Sequence, residues 1–380
     1  MKFAFEEQQE FVRNDARRFL NARCPMDSVR AQQESDPFAI SPLWQEVCDL
    51  GWTGVAIPEI YGGLGMGYLE LCVLAEELGR VAAPIPFASS IYLAAEAILH
   101  FGSEEQKLRY LPRLASGTSV GALAWNDAKE DPVTLRDGLI SGSKRPVTSG
   151  TQADIFVIKV DKPEGGAVLA VLDLGEHRES KGFSRRSLKV VDPSLGVAEI
   201  TFNGVPVDLL VACGDGDAAL ASLLDRAAVV LAFEQLGGAD RCLEMAVDYV
   251  KERQTFGRSV GSYQAVKHKL ASMYARNELA RSNAFYGAWA LASGSPELPM
   301  AASAARITAC DSFEFAARES LHLHGGMGYT WEVDCHLHLK RSLDLALRLG
   351  GVRYWKESLI ATTLAACQTP ANMPSWLANS

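Results

Sequence analysis

"DGLISGSKRPVTSGTQADIFVIKV", residues 137–160, is the stretch on which the fold turns. Its β-branched runs, short alternation and Gly, Pro and Asp turns read as strands, not as a helix. "GGAVLAVLDL" (165–174) and "GVAEITFNGVPVDLLV" (196–211) have the same texture, which places a small sheet or barrel over 118–215. On both sides the pattern becomes helical. Upstream, Phe5, Phe11, Val12, Phe19 and Leu20 recur at steps compatible with one helical face. "ISPLWQEVCDLGW" (40–52) opens on a Ser-Pro start signal, and "SEEQKLRYLPRLASG" (103–117) on a capping box of Ser103 and Gln106. Downstream, "DAALASLLDRAAVVLAFEQLGGADRCLEMAVDYVKERQ" (217–254) is apolar around most of its circumference as far as Gly238, so it is expected to be buried in a bundle or interface. Further helices are expected near 262–293, 298–323 and 333–348.

The predicted fold is α+β and multi-domain. A helical domain over 1–117 is followed by a central β-domain over 118–215. A C-terminal four-helix bundle over 216–368 and a tail over 369–380 complete the chain. No repeated strand–helix alternation is present, which argues against a doubly wound α/β fold. "GGLGMG" (62–67) is followed by no strand–turn–helix fingerprint, so a Rossmann site has little support.

A chain of 380 residues accommodates two or three domains. Its net charge of −9 argues against general binding to a phosphate backbone. The eight cysteines are scattered singly, without metal-ribbon or disulfide spacing. No apolar run reaches the roughly 18 residues of a membrane span, and the N-terminus has no signal-peptide core. A cytoplasmic protein that binds neither nucleic acid nor membrane is the expectation.

Four of the seven histidines fall within 322–338, in "LHLHGGMGYTWE" (321–332) and the "HLH" of 336–338. Each pair is spaced i, i+2, which on a helix places the side chains about 200° apart and unable to chelate together. No metal is expected, and His336 and His338 read as ordinary surface or interface residues. The glycine pair Gly325–Gly326 reads as a helix C-cap that also lets a ligand or another backbone approach closely. A second segment adds to this, "ERQTFGRSVGSYQAVKHKLA" (252–271). There Arg253 ends a long helix, Phe256–Gly257 makes the turn, and Gln264 opens the next helix. An arginine fork beside a turn suits the paired oxygens of a pyrophosphate.

Together, "RQTFGRSVGSYQAVKHKLA" and "LHLHGGMGYTWEVDCHLHLKR" resemble the C-terminal bundle of the acyl-CoA dehydrogenase family, and "WQEVCDLGWTGVAIPEIYGGLGMGYLELCVLAEELGR" resembles its N-terminal domain. The resemblance spans nearly the whole chain and implies FAD as cofactor and an acyl-CoA as substrate. It assigns Arg253, Phe256, Gln264, Gly325 and Gly326 to the pyrophosphate and adenine half of an FAD held mainly by a neighbouring subunit. His322 stands where the family usually has glutamine.

The same resemblance exposes losses. The family's catalytic glutamate, which takes the α-proton, has two possible places, and these hold Gly350 and Ala227 here. Asp225 aligns with a family aspartate that is not the base, and Glu234 lies about two turns beyond Ala227. The T-E-P-x-A-G-S-D segment beside the flavin ring aligns with "NDAKEDP", with Asn126, Asp127 and Ala128 replacing the signature. Pro146 replaces a ring-stacking aromatic, while Thr148 is kept. No catalytic residue is assigned.

The resemblance therefore points to one subunit of a heteromeric α2β2 enzyme of the kind used on steroid side chains and other bulky CoA esters. A homologous base-bearing partner would supply the glutamate, and an electron-transfer flavoprotein would be the acceptor. A homomeric flavoprotein of the same fold with other chemistry, such as a flavin oxygenase, stays open at this stage. So does a non-catalytic paralogue that binds a CoA ester or stabilises a partner.

Overall fold

The computed structural model describes residues 5–175 and 181–367, so the tail expected over 369–380 lies outside the described residues. The chain divides into two compact units. One comprises Asp15–Leu74 and Ala83–Ala227, and the other Met1–Asn14, Ala75–Ala82 and Ala228–Ser380.

Six helices precede the sheet: α1 (Glu7–Arg23), α2 (Met26–Glu34), α3 (Leu43–Asp49), α4 (Tyr68–Arg80), α5 (Glu96–Phe101) and α6 (Glu104–Ala115). A π-helix over Ala88–Ala95 leads into α5. The strands are β1 (Gly121–Ala124), β2 (Thr134–Arg136), β3 (Leu139–Val147), β4 (Ile155–Asp161), β5 (Ala167–Asp173), β6 (Phe183–Ser187), β7 (Ala198–Pro206) and β8 (Asp208–Leu209). Across the sheet they run β6-β7-β3-β2-β4-β5-β8, with β1 parallel to β4.

The apolar run of β5 is buried on both faces, which is why it lacks the alternation of a half-solvated strand. Helices cover part of this sheet. The π-helix packs so closely on β1 that a Cβ at Gly121 would lie 2.5 Å from Ala94 Cβ. The capping box forms as expected: Gln106 N donates to Ser103 Oγ and Ser103 N to Gln106 Oε1. The same glutamine donates Nε2–H to Leu209 O at 2.8 Å, and Arg113 forks onto both oxygens of Asp173, so α6 is tied to the sheet at two places.

Beyond the sheet come α7 (Gly216–Glu252), a short hairpin of β9 (Gln254–Thr255) and β10 (Arg258–Ser259), α8 (Gln264–Ala292), α9 (Leu298–Leu323), α10 (Cys335–Leu347) and α11 (Gly351–Cys367). Five helices therefore follow the sheet where four were expected, because the glycine pair at 350–351 starts a further helix. Residues 227–239 of α7 are buried without interruption, matching its all-round apolar sequence. In the bundle unit, α7 crosses the end of α4 with the two backbones in contact. A Cβ at Gly79 would lie 1.8 Å from Glu234 O, and one at Gly237 1.8 Å from Glu76 O. Only glycine allows helices to approach this closely.

Buried and half-buried charged groups in this unit are held by ion pairs or by neutral acceptors. Arg281 bridges Glu76 and Asp240, and Arg13 reaches Glu76 from α1. Arg306, fully buried, donates to Gln235 Oε1 and to the carbonyls of Leu345 and Arg348, holding the C-terminal end of α10.

Two sequence expectations are corrected. Phe11 is exposed, since α1 turns Gln9, Ala16 and Leu20 inward instead. His338 is fully buried, edge-on to the Phe313 ring, with no hydrogen-bond partner for either nitrogen among the described residues. Burial, reinforced by nearby Arg241, Arg341 and Arg80, pushes its pKa down to about 3, so the imidazole is neutral at physiological pH.

Candidate functional site

All the residues assigned to the dinucleotide lie in the bundle unit. Arg253 follows the last turn of α7, its N–H donating to Tyr249 O at 2.9 Å. One turn back, the Tyr249 ring stacks on His324, with centroids 4.3 Å apart. His324 caps α9 directly before Gly325, so this stack brings the arginine and the glycine turn to the same end of the bundle. Buried His324 is itself fixed, with Nδ1 2.7 Å from Ser320 O and 3.3 Å from Cys335 Sγ.

The hairpin places Phe256 at its tip, at φ +52° and 97% exposed. Its base is closed by Tyr263, which donates to Thr255 O and lies under the Arg258 guanidinium. Tyr263 is the N-cap of α8, so Gln264 stands at the first helical position. Five residues on, Lys269 is paired with Glu319 of α9, and its Nζ lies 3.3 Å from His322 Nδ1. The i, i+2 rule holds for the first histidine pair, with His322 exposed and His324 buried.

The chemistry of this end matches an anionic, extended ligand. Arg253 and Gln264 are exposed, and neither side chain has a hydrogen-bond or ion-pair partner among the described residues. Gly325 needs its glycine for φ +61°. Gly326 has ordinary φ, and a Cβ there would meet nothing within 4 Å. Packing within the chain gives no reason for glycine at 326, whereas the close approach of an external group does. FAD fits this end: Arg253 would take phosphate oxygens, Gln264 and His322 would offer side-chain donors, and the glycine turn would supply close backbone approach.

The segments aligned with the flavin-ring side lie in the other unit and are closed on themselves. Asp127 accepts from Val133 N at 2.8 Å and from Lys144 Nζ at 2.7 Å. Lys144 is 1% exposed, and burial lowers its pKa against the opposing pull of Asp127. Asn126 O and Ala128 N are taken by Arg145 N and Ser143 O. Pro146 is exposed and offers no aromatic face, and Ser149 Oγ pairs with Ser89 Oγ at 2.6 Å.

Neither place for the base carries a carboxylate. Ala227 is buried. Gly350 sits in a turn where Leu349, Gly350 and Gly351 all have positive φ, and a Cβ at 350 would lie 2.8 Å from Tyr354 Cγ. Asp225 is half-buried without a partner among the described residues, and burial alone pushes its pKa up to about 7. Glu234 is buried near Arg341, 3.8 Å away, and its pKa is raised because burial outweighs the arginines.

Sequence reading did not find Tyr249, His324, Lys269 or Glu319. Their contacts join residues 75 and about 50 apart along the chain, and no local periodicity encodes such pairings. No group of three or more His, Cys, Asp or Glu able to hold a metal occurs among the described residues. No described helix is long and apolar enough to cross a membrane.

Comparison with known proteins agrees with the order of helical domain, sheet and helical bundle. Residues 6–118 match the acyl-CoA dehydrogenase N-terminal domain, and residues 214–350 the acyl-CoA dehydrogenase C-terminal domain. The acyl-CoA dehydrogenase IpdE2 of Mycobacterium tuberculosis is 31% identical over 337 residues, covering 88% of this chain and 91% of that protein. Among solved structures, the ChsE4–ChsE5 complex from Mycobacterium tuberculosis superposes with a TM-score of 0.87 at 26% identity, over 97% of this chain and 100% of that one. A glycine-to-alanine variant of the Tcur3481–Tcur3483 steroid ACAD gives 0.84 at 29% identity, over 94% and 99%.

Proposed function

The chain belongs to the acyl-CoA dehydrogenase family, whose cofactor is FAD, and from that premise we propose that it is one subunit of a heteromeric enzyme. In this reading it supplies the dinucleotide-clamping half of a flavin site, and a homologous partner supplies the catalytic glutamate. The observation that carries the reading is the state of the two base positions. Gly350 is locked in a left-handed turn against Tyr354, and Ala227 is buried, while the clamp residues Arg253 and Gln264 are exposed and have no side-chain partner among the described residues. Two solved relatives support it, one described as a complex of two chains and the other as a steroid ACAD. A bulky, steroid-like CoA thioester is the substrate class we assign.

When bound, FAD would supply the acceptor for the hydride that leaves Cβ of the thioester. This chain's part is to hold and orient the ligand. Arg253 neutralises phosphate charge through paired donors, which are stronger than neutral hydrogen bonds. Gln264 and His322 fix the register of the ligand, and Gly326 lets it lie against the backbone. The partner's glutamate takes the α-proton, and an electron-transfer flavoprotein carries electrons away.

The test is purification alone and after co-expression with a base-bearing homologue. The lone chain is expected to retain little FAD and to reduce no dye with acyl-CoA. The pair is expected to be yellow and active. Full flavin occupancy with turnover in the lone chain would instead establish a homomeric enzyme and sink the heteromeric reading.

A further inference from the structure

We infer that Lys269 sets the tautomer of His322, so that a neutral imidazole presents its Nε2–H outward as a ligand donor. An ammonium has three donors and no acceptor. With Lys269 Nζ 3.3 Å from His322 Nδ1, that nitrogen must accept. The ring proton therefore sits on Nε2, on the opposite side of the ring from the lysine. Lys269 is held in place by its pairing with Glu319, one turn before His322 on α9. Its long side chain is thus anchored and not left to sample solvent. The His322 side chain is 66% exposed, which leaves Nε2 accessible.

The arrangement gives Lys269 a purpose that ion pairing alone does not. A glutamine, the residue the family usually has at this position, carries a donor and an acceptor on one freely rotating amide and can turn whichever is required. Imidazole has one of each on fixed sides of the ring. A histidine whose tautomer is fixed from behind can take the place of the amide donor, and Lys269 is the group behind it. Glu319 works the other way. Its Oε2 lies 3.9 Å from His322 Nδ1 and, without the lysine, would favour a proton on that nitrogen. Lys269 is thus a positioning residue for His322. The inference rests on the proposed clamp only for the identity of the ligand.

Long-range ¹H–¹⁵N spectra of the ¹⁵N-histidine-labelled full chain test it without any cofactor. They should be recorded near pH 8.5, about two units above the ordinary imidazole pKa, with His322→Gln identifying the signal. The wild type should show His322 as Nε2–H in about tenfold excess or more, which corresponds to one charge-assisted hydrogen bond. Lys269→Met should shift the ring several-fold toward Nδ1–H. Lys269→Arg, also a pure donor, should keep the wild-type tautomer, a rescue that a merely structural lysine would not require. An Nδ1–H wild type, or a tautomer unchanged in Lys269→Met, overturns the inference. In the reconstituted complex, Lys269→Met should reduce FAD retention several-fold. A shifted tautomer with unchanged retention overturns the ligand-facing role of Nε2. If Arg253→Ala also leaves retention unchanged, the clamp reading itself has failed.

Discussion

Two regions of this molecule treat their polar side chains in opposite ways. At the clamp end of the bundle, Arg253 and Gln264 are exposed without side-chain partners among the described residues, and Gly326 borders open space. Around 126–150, Asp127, Lys144, Ser143 and Ser149 are bonded to one another or to nearby backbone and side chains. A group whose hydrogen bonds are already made gains little from a ligand, because binding must first break them. Unpartnered donors carry no such cost. The difference sets an end of the bundle that offers free donors against a segment whose polar groups are satisfied within the chain.

Stability measurements break or sharpen this contrast. Asp127→Ala removes the partner of a buried ammonium, so it should destabilise the chain by about 3–5 kcal/mol in chemical denaturation. A loss below about 1 kcal/mol would mean that the 126–133 segment is not the closed structure described. Gly350→Glu places a side chain at φ +95° against Tyr354. It should cost about 1–3 kcal/mol and confer no dehydrogenation on the lone chain. Turnover in that variant would show that the turn still accommodates a base.

Asp225 gives a pH-dependent test. Its folded pKa is raised from 3.8 to about 7, so its favourable contribution is complete below pH 4 and lost as pH rises through 7. Asp225→Asn should therefore be more stable than wild type at pH 8 by about 1–2 kcal/mol, allowing for partial exposure, and the gap should close at pH 4. Equal melting temperatures at both values would contradict the burial-driven shift. Arg253→Ala should change stability by less than about 0.5 kcal/mol. In the reconstituted complex it should weaken FAD retention about tenfold, with lysine restoring only part. Flavin content after gel filtration reads this directly.

The order of elements was legible because it depends on local pattern. The capping box at Ser103 and the all-round apolar face of α7 are written in neighbouring residues. β1 was not legible, since "GALA" is short, small and wholly buried, with no alternation to mark it. Nothing in "ASSIYLAA" announces a π-helix, because its hydrogen-bond register is set by packing. His338 was misjudged because histidine usually lies near water, and only the docking of α10 against Phe313 decides otherwise. At the clamp, the residues that would touch the ligand were assigned by the resemblance to family motifs. Those that orient them, Tyr249 and Lys269, were not.

The crossing of α4 and α7 has a consequence in the genetic code. Every missense change in a glycine codon yields an amino acid with a Cβ, so no single-nucleotide step gives a tolerable neighbour at position 79 or 237. Each would set that carbon 1.8 Å from a carbonyl oxygen of the facing helix. Compensation would require both helices to move apart at once, which no one codon change can produce. In a saturation library these two positions should therefore be nearly empty of surviving variants, while Gly326, with open space around it, should tolerate alanine in any selection that reads folding alone.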